Sequence, residues 1–225
     1  MTGTRTSSER GHRPEPFDAL GTGRHLRPAF GPLVRLRFRP EAPLSDALFA
    51  ALAAENDVLR LERTARGDLE IMVPCGSEGS HKNAALTYQV AHWAYTQGKG
   101  LGVIFDATAG FTLPNGAIRS PDAAWMTRDR WDALTPEQKK TFAPLCPDFV
   151  VELRSESDRP ANLRKKMKEY IEQGARLGWL IDPLRHKVEI YRPGRRVELL
   201  TRPTTLSGED VLPGFVLDLR PIFED

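Results

Sequence analysis

Apolar positions show no period before about residue 32, and from there on they form short alternating runs and a few helical periods. Residues 1–31 are rich in Gly, Pro, Ser, Thr and Arg, and a segment with so little apolar surface to bury is expected to stay disordered. Pro43-Leu44-Ser45 predicts a helix start with Ser45 as N-cap and Leu48, Phe49 and Leu52 on the inner face. Residues 59–62 and 69–73 alternate like strands, and Arg66-Gly67-Asp68 between them predicts a hairpin. Residues 83–96 turn helical, with Leu86, Val90, Trp93 and Ala94 on one face and Gly98-Lys99-Gly100 as the stop. Strands are expected at 102–105, 111–113 and 117–126, with Asn115-Gly116 as a turn. A helical insert opens at Thr135-Pro136, where Pro suits the first helical position. Then come a strand around Glu152, a helix over 161–173 closed by Gly174, a strand over 177–181 broken by Asp182-Pro183, and a hairpin of 188–191 with 197–200. The pattern contains no internal repeat. It predicts one mixed α/β domain over residues 32–225, preceded by a basic disordered arm over 1–31.

Composition narrows the class. A chain of 225 residues with a 40% hydrophobic and 28% charged composition is long enough for one domain with a real core. No apolar run approaches a membrane span and no leader-like segment opens the chain, so a cytoplasmic protein with no membrane partner is expected. Cys75 and Cys146 form neither a disulfide framework nor a metal-ligand spacing. The five scattered histidines argue against a histidine-rich zinc site. A net charge of +2 does not mark a nucleic-acid binder. The arginines between Arg5 and Arg39 read first as a solvated tail, with a nucleic-acid-touching arm as the alternative.

The candidate chemistry begins at Glu152, a carboxylate inside the apolar run Val150, Val151, Leu153. A buried unpaired carboxylate is costly, and a metal ion is one partner that offsets the cost. Asp122 lies in a second strand-like segment upstream. Two such carboxylates with the backbone carbonyl of Leu153 would be an adequate set for Mg²⁺, with Mn²⁺ as a substitute, since magnesium takes a few oxygen ligands and keeps several waters. A bound Mg²⁺ would make water nucleophilic and neutralise a leaving oxygen, the needs of phosphodiester hydrolysis.

At about 100° per residue, Leu163, Met167, Tyr170 and Ile171 cluster on one side of the following helix, Lys166 falls on the flank of that stripe, and Lys165 points away. Lys166 is therefore the lysine that can reach the sheet. Asp148, four before Glu152, shares its strand face and is an alternative acidic partner or a strand-entry cap. A purely structural reading pairs the carboxylates with Arg119 and Arg154.

The ordered series Val103-Ile104-Phe105-Asp106, Arg119-Ser120-Pro121-Asp122-Ala123-Ala124-Trp125, Pro147-Asp148-Phe149-Val150-Val151-Glu152-Leu153-Arg154-Ser155, Lys166-Met167-Lys168-Glu169-Tyr170 and Leu177-Gly178-Trp179-Leu180-Ile181-Asp182-Pro183 resembles the Uma-type putative restriction endonuclease family. That family lies within the PD-(D/E)xK phosphodiesterase superfamily. The resemblance implies a restriction-endonuclease-like core, with a mixed, mostly antiparallel sheet flanked by helices. It also implies an acid on one strand, matched by Asp122, and Glu-x-Lys on the next, matched by Glu152 but with Arg154 at the lysine position. In family members of this type the lysine moves to the next helix, which fits Lys166. The superfamily's acid on the first long helix is missing: Ala85 stands there, and Gln89 is the nearest polar substitute. The implied function is Mg-dependent DNA endonuclease, with DNA as partner; related nucleases often act as homodimers, but no segment here identifies such an interface. The alternative is a nuclease-fold binding module without chemistry.

Overall fold

The computed structural model describes residues 33–39, 41–72 and 76–224. The arm over 1–31 and Cys75 lie outside the described residues. The chain opens with strand β1 (Leu33–Leu36), helix α1 (Asp46–Glu55), and the hairpin of β2 (Arg60–Arg63) and β3 (Leu69–Met72). Ser45 caps α1 as expected, its hydroxyl accepting from the Leu48 N–H at 3.2 Å. Phe49 is buried beneath it, but Leu48 faces out. The hairpin turns at Gly67, whose φ of +81° is open to glycine at little steric cost.

The long helix α2 (Ser77–Tyr95) begins six residues before the predicted start. It is followed by β4 (Gly102–Asp106), β5 (Phe111–Thr112), β6 (Ile118–Arg119) and β7 (Ala123–Thr127). The single strand expected over 117–126 is therefore two. Pro121 lacks the N–H that a central strand needs, and the chain changes sheets across Ser120-Pro121-Asp122. Next come α3 (Arg128–Asp132) and α4 (Pro136–Lys139), the latter opened by a capping box between Thr135 and Gln138.

Strand β8 (Phe149–Leu153), helix α5 (Pro160–Glu172) and β9 (Leu177–Asp182) form a parallel crossover. Strands β10 (Lys187–Tyr191) and β11 (Glu198–Thr201) complete the expected hairpin. A small ladder of β12 (Thr205–Ser207) with β13 (Val216–Asp218) and the short helix α6 (Arg220–Phe223) end the chain; the apolar pattern did not predict them or β1.

Two sheets carry the fold. One runs β1-β3-β2-β6-β5 and the other β11-β10-β9-β8-β7-β4, and every pairing is antiparallel except β8 with β9. The class is thus the expected one, mixed α/β with mostly antiparallel sheets flanked by helices. Side chains alternate across β8. Phe149 and Val151 join a core with Leu86, Val90 and Trp93 of α2, while Val150 joins the core under Met167 and Tyr170 of α5. Glu152 shares the face of Val150 and so lies on the α5 side. Gly178 of β9 leaves room for α5, since a Cβ there would stand 2.6 Å from Met167 Cε. Trp93, Trp125 and Trp179 are core residues, as their periodic positions imply. Among the described residues, no helix is long and apolar enough to cross a membrane.

Candidate active site

The site forms where the link between the sheets passes the end of β8. Asp122 is pinned there from three sides. Its N–H donates to the Val151 carbonyl at 2.9 Å, its Oδ2 accepts from the Leu153 N–H at 2.7 Å, and its Oδ1 accepts from Arg60 Nη1 at 2.7 Å. Glu152 is 3% exposed. Its Oε1 accepts from the Tyr170 hydroxyl at 3.1 Å and lies 2.8 Å from Lys166 Nζ, and among the described residues no hydrogen bond reaches Oε2.

Lys166 stands between two carboxylates, because its Nζ also donates to Glu62 Oε1 at 2.6 Å. Lys165 is exposed, as the helical geometry requires. Lys166, Glu169 and Tyr170 are spaced i, i+3, i+4, so one face of α5 serves the cluster.

Glu62 of β2 is the residue that sequence reasoning missed. It faces Glu70 directly across the hairpin, a like-charge pair that would repel if left alone. Arg119 relieves it: Nη1 lies 3.2 Å from Glu62 Oε2 and 2.5 Å from Glu70 Oε2, while Nε donates to Glu169 Oε2 at 2.6 Å. The Ser120 N–H donates to Glu62 Oε1 at 3.0 Å. The helix acid was sought at Ala85, yet the additional acid beside Lys166 comes from a strand. The missing helix acid hints that an acid comes from another element, but nothing in the sequence points to Glu62.

The two acids beside Lys166 titrate apart. Burial pushes the Glu62 carboxyl up, but Lys166, Arg119 and Arg60 outweigh it and hold it down at about 2. Burial and the neighbouring Asp122 push Glu152 up to about 7 against the pull of Lys166. Burial alone would lower the Lys166 ammonium, and the two carboxylates raise it above the ordinary lysine value. The cluster therefore holds Lys166 charged, Glu62 ionised and Glu152 partly protonated near neutrality.

Three supporting candidates do not join the cluster. Gln89 spends its amide on the Asp218 backbone at 3.0 and 2.8 Å, because α2 packs there against β13. Asp148 sits at the other end of β8, roughly 13 Å along a strand from Glu152, where it accepts from the Thr127 N–H and pairs with Arg130; it is the strand-entry cap. Arg154 turns to Asp182, at 2.8 Å. The purely structural pairing is not formed either: Asp122 and Glu152 have Arg60 and Lys166 as ionic partners, not Arg119 and Arg154.

Carboxylate oxygens are the donors that a hard divalent cation takes. Asp122 and Glu152 offer carboxylate oxygens, and Glu152 Oε2 is uncommitted. Arg60 complicates the set, since its Nη1 already holds Asp122 Oδ1. Its Nε and Nη2 are buried without a hydrogen-bond partner. Among the described residues, no group of three or more His, Cys, Asp or Glu side chains is arranged to hold a metal. A magnesium ion there would have two carboxylates, a carbonyl and water.

The profile of the Uma2 family, described as "Putative restriction endonuclease", matches residues 46–220. Among solved structures, the chain is similar to that of a "putative nuclease belonging to DUF820 from Anabaena variabilis ATCC 29413". The TM-score is 0.60 at 20% identity, over 72% of this chain and 89% of that one, a likeness of fold. No curated protein matches.

Proposed function

Because the chain belongs to the Uma2 family of putative restriction endonucleases, we propose that it is a metal-dependent phosphodiesterase that cleaves DNA. One observation carries the reading: Lys166 Nζ lies 2.8 Å from Glu152 Oε1 and 2.6 Å from Glu62 Oε1 in a buried cluster that also fastens Asp122. Asp122, Glu152 and the Leu153 carbonyl would hold Mg²⁺ or Mn²⁺. When bound, the ion supplies Lewis acidity, acidifying water and neutralising charge on the leaving oxygen.

The chain's own groups do the rest. Tyr170 fixes the rotamer of Glu152 by donating to Oε1. Glu62 keeps Lys166 charged and aimed beside Glu152. Lys166 donates to negative charge that builds on the phosphate or on the attacking oxygen, where a preorganised donor is worth far more than in water. Arg60 holds Asp122 in place through Nη1 and keeps positive charge beside the carboxylates, with its Nε and Nη2 buried without an acceptor. Arg154 cannot act as a base, since a guanidinium stays protonated at any working pH.

The test is cleavage of plasmid and linear duplex DNA with Mg²⁺, with Mn²⁺ and with chelator. The parent is expected to cleave with either metal only, and Asp122→Ala and Glu152→Ala to lose cleavage. Variants that cleave as fast as the parent would defeat the assignment. A second reading, a binding module without chemistry, is supported by Arg60 already neutralising Asp122. It predicts DNA binding that is equal with metal and with chelator, and no cleavage in any condition.

A further inference from the structure

A second cationic pocket lies on the other flank of α5, away from Lys166. Its cavity is about 60 Å³, and its charged lining consists of Arg154, Arg164, Arg185 and Lys187 with Asp182 and Glu189. A water occupies roughly 10–15 Å³ of such space, so the cavity takes a group several waters in size. Four cations face two acids, and both acids are already satisfied. Arg154 Nη1 donates to both oxygens of Asp182 at 3.0 and 2.8 Å. Arg164 Nε and Nη2 donate to Glu189 Oε1 at 2.8 and 2.6 Å, and the Tyr191 hydroxyl donates to Glu189 Oε2 at 2.6 Å.

Arg185 and Lys187 are left over, with no side-chain hydrogen bond or ion pair among the described residues. Arg154 Nε is buried without an acceptor. A buried charged donor without a partner carries a penalty that a bound acceptor removes. The surplus positive charge excludes a cation as that ligand. Guanidinium groups with an ammonium beside them suit an oxyanion that offers several acceptor oxygens at once. The first turn of α5, at Pro160 on the pocket wall, adds partial positive charge.

We propose that this pocket binds a phosphate group. The inference does not rest on the cleavage reading, because it involves none of the residues assigned to the cluster. It gives position 154 a role of its own: the arginine that stands where the Glu-x-Lys pattern has lysine serves an anion site. The pocket is close enough to the cluster to serve the same ligand. In register, Glu152 faces Leu180 of β9 and Leu180 faces Glu189 of β10, so Glu189 is two strand spacings, roughly 10 Å, from Glu152. The phosphate is that of a nucleic-acid backbone or a free phosphate.

Nuclear magnetic resonance of the full chain reads this directly through the Arg154 Nε–H signal. The probes are inorganic phosphate, a short single-stranded oligodeoxynucleotide and acetate, at matched ionic strength. A saturable shift is expected with a phosphate probe and not with acetate. In the double variant Arg185→Ala/Lys187→Ala the affinity should fall roughly tenfold or more. Among the described residues neither side chain makes a hydrogen bond or ion pair, and a thermal melt of the variant checks that it folds. A shift at lower concentration with the oligonucleotide identifies the backbone as the source, and one with inorganic phosphate alone identifies free phosphate; both uphold the proposal. It is overturned if neither phosphate probe gives a saturable shift, if acetate does as well, or if the double variant binds like the parent.

Discussion

Glu62 and Glu152 share one lysine and yet carry different charge near neutrality, because Glu62 has Arg119 and Arg60 as further cations while Asp122 stands beside the buried Glu152. The pH dependence of stability should report this. Glu152 has a folded value raised to about 7, above the ordinary glutamate value. Its contribution is therefore full below about pH 4.3 and is lost as pH rises through 7. Glu152→Gln removes that loss. Urea denaturation of metal-free protein should show the variant gaining stability relative to the parent between about pH 4.5 and 8. A flat difference across that window would mean that Glu152 ionises normally.

The same residue shows what a sequence can and cannot reveal. Its oddity in an apolar strand was legible, as was the reach of Lys166 from the flank of a helix. Glu62 was not, because alternation beside Leu61 puts it on the face of a hairpin that normally meets solvent. Only the arrival of β6 and α5 buries it.

Among the elements, the link Ser120-Pro121-Asp122 matters most. The apolar positions on both sides, Ala117 and Ile118 before it and Ala123 to Met126 after it, run like one strand. Pro121 was the sign that they are not one, but which sheet each half joins depends on contacts far along the chain. Asp122 stands at the crossing and reaches β2 and β8 together, which a residue in mid-strand would not do. The helices were easier to read, because their caps and stripes are local: Ser45, Thr135-Pro136 and Gly174 all mark ends near the observed ones. The edge pair β4–β7 offers a test at this scale. A Cβ on Gly102 would fall 2.1 Å from the Met126 carbonyl oxygen, so the strands must shift to admit it. Gly102→Ala should destabilise by about 1–3 kcal/mol in chemical denaturation. An unchanged midpoint would show that the edge gives way freely.

For the whole molecule, α2 covers one face of the six-stranded sheet and α5 the other, and the cluster lies at the margin where the five-stranded sheet meets it. The class and most element positions followed from hydrophobic periodicity, while the split into two sheets and the C-terminal ladder did not. Short strands such as β5, β6, β12 and β13 carry two or three residues each, too few to establish a period. A ligand bound only by the folded state stabilises all of it. Mg²⁺ at about 100 times its dissociation constant should add about 2.7 kcal/mol. This should appear as a rise in melting temperature of the parent that Glu152→Ala abolishes. Equal shifts in both proteins would place the ion elsewhere.

The proposed mechanism takes its working lysine from α5 and not from the position two after Glu152. The most direct measurement is the single-turnover rate of duplex DNA cleavage in Mg²⁺ for the parent, Lys166→Met and Arg154→Gln under saturating enzyme. A loss of about a hundredfold or more is expected for Lys166→Met, with a rate near the parent's for Arg154→Gln. A Lys166→Met enzyme that cleaves at the parent rate, or an Arg154→Gln enzyme as slow as Lys166→Met is expected to be, would contradict it.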